Sequence, residues 1–172
     1  NIMGTTYLLQ ILANSKHSIK KMVIASSRAI YGEGKYCDLE NRIQYPGQRL
    51  ESDMQKGNFN LKCQLNSVEL TALATDENSK TYPSSIYGLN KQQQENMIML
   101  MGKSLAIPAV AFRYQNVYGP GQSLSNPYTG ILSVFSTRIL NGNELDIYED
   151  GLQSRDFVYI DDVVDATILG IE

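Results

Sequence analysis

Two short apolar runs without polar alternation, KMVIAS at residues 21–26 and IPAVAFR at 107–113, constrain this chain more than any other feature. Runs of this length, without a period of two, are expected for strands covered on both faces. Between them, residues 85–103 read as one helix. Pro83 cannot continue a preceding helix, and Ser84 or Ser85 can accept a bond from the free N–H groups of a first turn. The stretch QQQENMIMLM is rich in helix formers, and Gly102 reads as its stop. Strand, helix and strand in this order argue an α/β protein with a doubly wound parallel sheet.

The flanks extend the pattern. Residues 2–13 space their apolar groups as a helix with a buried stripe at Ile2, Leu8, Leu9 and Leu12. The polar break at 14–18 carries His17, the sole histidine, which reads as solvated. Residues 33–80 are polar and without apolar periodicity, and read as an inserted excursion with a function or some structure of its own. Residues 114–121 read as a turn, 130–141 as a helix, 145–148 as a short strand and 149–151 as a turn. Residues 154–160 lead into a helix whose start, Asp161-Asp162, suits the N-terminal dipole.

A net charge of −3 with no basic cluster argues against a nucleic-acid surface. No apolar run approaches the ~18 residues of a membrane span, and no signal peptide is visible. Cys37 and Cys63 are expected as reduced thiols. The expectation is a soluble, cytoplasmic protein without a membrane partner. Asn1 and Glu172 each fall inside a helical pattern, so the chain is expected to be a piece of a longer protein.

The residues with chemistry cluster after the first strand and in the long helix. Tyr87 and Lys91, four apart, lie one above the other on one helix face. A phenol with a pKa near ~10 is a poor base at neutrality, and a neighbouring ammonium favours its ionised form. The plainer reading is an exposed Tyr/Lys pair, since so short a spacing recurs by chance. Ser26 and Ser27 stand at a strand's carboxyl end, where open α/β sheets bind ligands. Their plainer role is to satisfy a loop backbone.

Four stretches in order, SSRAIYG, YGLNK, FRYQNVYGPGQ and SRDFVYIDDVVDA, together resemble the extended short-chain dehydrogenase/reductase family, and within it the nucleotide-sugar epimerases and dehydratases. The resemblance implies a partial Rossmann-type sheet followed by the start of a smaller C-terminal substrate domain. Residues 1–32 and 81–130 would form the NAD-binding part, 33–80 the insertion, and 131–172 the start of the substrate-binding region. It implies Tyr87 as catalytic base and Lys91 as its cationic partner, both also meeting the cofactor, NAD, with Ser26 and Val117 beside it. Lowering a phenol pKa from about 10 to about 7 takes roughly 4 kcal/mol, which the lysine and a nicotinamide cation together can supply. Ser27 would bond the reacting hydroxyl, and Asn1 falls at the family's active-site asparagine. Asn116 and Arg155 would hold the substrate diphosphate, a bidentate fork suiting phosphate oxygens, and Arg28 is a further substrate contact. The plainer reading of Arg155 is a surface ion pair with Asp156. The family's Gly-rich pyrophosphate turn does not occur in these residues, and with it go the positions that choose NAD over NADP.

The insertion resembles that of the dTDP-L-rhamnose 4-epimerase group, which carries paired cysteines there. Here Glu40 and Asn66 stand where second cysteines would, a poor zinc set, so no metal is expected. The resemblance implies 4-epimerisation of a nucleotide-activated deoxyhexose through a transient 4-keto sugar. The alternatives are a UDP-glucose/galactose-type epimerase, another nucleotide-sugar dehydratase or reductase, or a non-catalytic nucleotide-sugar-binding paralogue. A homodimer is implied through helices 2–13 and 85–103, with Met97, Ile98 and Met101 at the interface or in the core.

Overall fold

The computed structural model describes residues 1–124 and 130–172. Residues 125–129, part of the expected 81–130 segment, lie outside them. The described chain forms two compact units, one spanning Asn1–Arg113 and the other Tyr114–Gly170. The insertion belongs to the first.

The first unit opens with helix α1 (Ile2–Asn14), strand β1 (Met22–Ser27) and a 3-10 turn (Arg28–Tyr31). The insertion follows, with strands β2 (Tyr36–Cys37) and β3 (Ile43–Gln44), the short helix α2 (Glu51–Met54) and strand β4 (Thr71–Ala72). Helix α3 (Ile86–Leu105) then leads to strand β5 (Ala109–Tyr114). β1 and β5 are neighbours. Met22 N donates to Pro108 O at 2.8 Å, so the two strands begin side by side, as a parallel pair requires. Strand, crossover helix and parallel strand are what the two apolar runs led us to expect. The strands are less covered than expected: Ala25 is exposed, and every residue of β5 is only partly buried.

The core lies where α1 and α3 meet the start of β1. Leu9, Leu12, Met22 and Ile107 are its centre, with Met97, Ile98, Met101, Leu105 and Ala109 packed on it. Met97, Ile98 and Met101 thus face the core. Leu8, expected in the buried stripe, is 70% exposed. It sits 100° round the helix from Leu9, and one narrow stripe cannot hold both. Gly102 is not the stop of α3, which runs on to Leu105 and closes at Ala106 in the left-handed conformation. Its role is close approach: a Cβ there would lie 2.8 Å from both Ala109 Cβ and Ile107 O.

The insertion is built on an antiparallel sheet in the order β3-β2-β4, with Cys37, Leu61 and Cys63 buried. Asp38 organises its first turn. Its carboxylate accepts from Arg42 Nε at 2.8 Å, from the backbone N–H groups of Glu40 and Arg42 at 3.0 Å, and from Gln44 Nε2 at 3.2 Å. The Arg42 guanidinium, helped by these N–H donors, holds the Asp38 carboxyl down to about 2. The excursion leaves and rejoins the unit at one place, where Tyr82 N donates to Ile30 O at 2.8 Å.

The second unit contains strand β6 (Asn116–Tyr118), helix α4 (Ile131–Leu140), strand β7 (Phe157–Tyr159) and helix α5 (Ile160–Ile171). β6 and β7 pair in parallel, Val117 opposite Val158. Tyr118 packs on Tyr159, ring centroids 5.4 Å apart. Residues 145–148, expected as a strand, carry no regular structure. The strands lie instead at 116–118 and 157–159, too short for any residue period to reveal.

Candidate active site

Three of the expected residues come together around the carboxyl end of β1. Ser27 closes the strand and caps the 3-10 turn, its Oγ accepting from Ala29 N at 3.2 Å. A hydroxyl that accepts one bond still has its own proton to give. Arg28, partly buried, is the first residue of that turn.

Tyr87 stands in the first turn of α3. Ser85 caps the helix, accepting from Gly88 N at 3.0 Å, and Gln48 of the insertion donates to Ser84 O at 2.7 Å. Gly88 lets this turn press against the 3-10 turn, since a Cβ there would lie 2.4 Å from Ala29 O. Tyr87 is 54% exposed. One turn on, Lys91 Nζ donates to Ala25 O at 2.9 Å. That contact uses one of three N–H donors and fixes the ammonium beside the strand end.

Ser26 is buried, and its hydroxyl donates to Glu95 Oε2 at 2.5 Å. Asn1 is the exposed N-cap residue of α1, its carbonyl accepting from Thr5 N. The next contacts along α1 are Gln94 Nε2 to Thr5 Oγ1 at 2.7 Å and Thr6 Oγ1 to Met97 Sδ, so Asn1 lies toward the Lys91 end of α3.

In the second unit Asn116 and Arg155 are neighbours through one residue. Asn116 donates from both its backbone N and its Nδ2 to Asp156 O, at 3.1 and 2.7 Å. Arg155 bonds within its own loop, to Ser154 O at 3.0 Å and Gln153 Oε1 at 2.5 Å, rather than to the Asp156 carboxylate. Val117 sits between them in sequence on β6, its carbonyl accepting from Gln122 Nε2.

A family model described as the NAD dependent epimerase/dehydratase family matches residues 54–172. The chain belongs to that family. Among similar proteins, a dTDP-L-rhamnose 4-epimerase from Burkholderia thailandensis is 36% identical over 98% of this chain and 45% of its own length. A putative UDP-glucose 4-epimerase from Methanocaldococcus jannaschii is 31% identical over 99% of the chain and 44% of its own. The chain thus spans less than half the length of these epimerases. Among solved structures, the Bacillus cereus UDP-glucuronic acid 4-epimerase in complex with UDP-glucuronic acid and NAD aligns with a TM-score of 0.66 and 26% identity, over 99% of this chain and 41% of that one.

The epimerase motifs miss one group of residues. Glu95 on α3, Arg113 on β5 and Tyr31 at the end of the 3-10 turn form a largely buried polar network with Ser26. Two signals were present in the sequence. Glu95 repeats the Tyr87–Lys91 spacing one turn later, and Arg113 is a lone cation in an apolar run, which demands a partner. Among the described residues no group of three or more His, Cys, Asp or Glu side chains converges as a metal site, and no helix is long and apolar enough to cross a membrane.

Proposed function

We propose that the protein containing this chain catalyses NAD-dependent 4-epimerisation of a nucleotide-activated deoxyhexose of the dTDP-L-rhamnose type, through a transient 4-keto sugar. One observation supports the chemistry: the start of α3, with Tyr87 and Lys91, packs against the carboxyl end of β1, where Ser27 stands, with the tyrosine half exposed and the lysine anchored. The substrate class rests on the similarity to an enzyme named dTDP-L-rhamnose 4-epimerase.

The residues suit NAD in one specific respect: Lys91 keeps donors for ribose hydroxyls after its bond to Ala25 O. Tyr87 and Val117 are the further residues we assign to the cofactor, with Ser26 beside it through its backbone alone, its hydroxyl being committed to Glu95. The chemistry supplied by bound NAD is reversible acceptance of the hydride at the sugar C4. Tyr87 as phenolate takes the proton of the 4-hydroxyl and later returns it, while Ser27 donates a bond to the same oxygen. Lys91 favours the phenolate by its charge. Asn1 completes this group of polar side chains, with Arg28 as a further substrate contact. Within the second unit, Asn116 and Arg155 are assigned to the diphosphate. Holding a part of the substrate that does not react is what lets the sugar turn its other face without leaving. Homodimerisation goes with this reading, through the apolar positions that α1 leaves exposed.

The test is to incubate the full-length protein with dTDP-L-rhamnose, UDP-glucose and UDP-galactose separately and follow the C4 configuration by proton NMR. Conversion of dTDP-L-rhamnose alone is expected. Conversion of a UDP-hexose alone would keep the mechanism and replace the substrate, as the second relative's name suggests. Turnover of none of the three by folded, NAD-supplied protein would sink the assignment.

A further inference from the structure

Glu95 is a buried carboxylate that the proposed chemistry does not use. It is 7% exposed and lies on α3 one turn beyond Lys91. Both its oxygens are engaged. Oε2 accepts the Ser26 hydroxyl at 2.5 Å, and Arg113 donates to Oε1 from Nη2 at 2.7 Å and from Nε at 3.1 Å. The Ser26 hydroxyl is the donor, so its orientation is set. Arg113 goes on to the Tyr31 hydroxyl at 2.7 Å and to Glu77 O at 2.9 Å, and its guanidinium lies over the Tyr31 ring, 5.1 Å from the centroid.

The four residues bracket Ser27. Ser26 precedes it, and Tyr31 ends the turn that it caps. On the facing helix, Lys91 and Glu95 grip consecutive residues of β1, Ala25 and Ser26, one helical turn apart. An apolar set filling this space would hold the fold about as well, because burying an ion pair costs much of what it returns. Directional bonds add a distance and an angle to that packing, which sharpens the register of a helix on a strand.

We infer that Glu95, through Ser26 and Arg113, is a positioning residue that fixes the Ser27 hydroxyl against Tyr87 and Lys91. This rests on the reading of those three as the reacting groups. Ser26 belongs to the same device, its hydroxyl serving the strand's register. A misplacement of about 1 Å at the reacting centre can lower a rate by about a hundredfold, so the register is worth holding by three elements at once.

The test uses Ser26→Ala and Glu95→Gln in the full-length protein. Ser26→Ala removes the link to the strand while leaving the Glu95–Arg113 pair whole, and it decides alone if Glu95→Gln does not fold. The expected result in Ser26→Ala is a kcat at least ten-fold lower, with KM for the nucleotide sugar within two-fold of the parent's. Alongside it, amide hydrogen exchange over residues 24–30 should quicken at least ten-fold while residues 8–12 of α1 stay unchanged. A merely structural role would lower the melting temperature and quicken exchange while sparing kcat. Unchanged exchange over 24–30 would overturn the inference, as would kcat within two-fold of the parent's. If the parent itself turns over no nucleotide sugar, the functional reading fails on its own, and the exchange measurement still decides whether this network holds Ser27.

Discussion

At Tyr87 a phenylalanine keeps the ring and deletes one oxygen from a side chain already half in solvent, so little packing is at stake. Tyr87→Phe is expected to lower kcat by about 10²–10⁴, the usual worth of a positioned acid–base group, with an unchanged thermal melt by circular dichroism. Retention of near-parent turnover would remove Tyr87 as the base. Lys91→Met is a different experiment, because it also frees Ala25 O; a lowered melt should accompany the lost activity. The placement of Tyr87 and Lys91 one turn apart on a helix, and of Ser27 at a strand end, was legible in the sequence because it is local. The Ser26–Glu95 bond was not, since its partners stand 69 residues apart and no local pattern pairs them. Arg155 shows the limit from the other side. The sequence offered Asp156 as its neighbour, but both Arg155 bonds go to the loop's own oxygens.

For α3 the sensitive position is Gly88. Alanine there would gain about 1 kcal/mol of helix propensity, but its Cβ would meet Ala29 O at 2.4 Å. Backbone cannot swing aside as a side-chain end can, and overpacking costs about 1–3 kcal/mol. A net loss of up to roughly 2 kcal/mol in urea unfolding is expected, with reduced turnover because Tyr87 moves with its helix. Stability above the parent's with turnover unchanged would show that the two turns are not pressed together. The insertion carries a pH dependence of its own. Asp38 falls from the usual carboxylate value near 4 to about 2 on folding, so its contribution is complete above pH ~4 and is lost as pH falls toward 2. Amide signals of β2 and β3 should broaden or shift across that window, and Asp38→Asn should abolish the step. The long apolar runs and the long helix were visible in the sequence because burial repeats over many residues. β6 and β7, three residues each, owe their existence to one another, and that pairing has no local signature.

Taken whole, the chain leaves Met3, Tyr7, Leu8 and Ile11 of α1 between 57% and 70% exposed, a stripe at helical spacing opposite Leu9 and Leu12. Leu8→Glu with Ile11→Glu is expected to convert a dimer to a monomer in sedimentation velocity while leaving the melt in place, since neither side chain supports the core. A parent that sediments as a monomer would refute the dimer. The single bond between Tyr82 and Ile30 has a further consequence. A detour whose two ends are already joined can lengthen or shorten at little cost, because closure entropy grows only with the logarithm of its length. The β1–α3 crossover therefore carries a socket into which other polypeptide can be spliced. Length can change there freely so long as the two struts from the insertion to the scaffold are kept, Gln48 on Ser84 O and Glu77 O on Arg113.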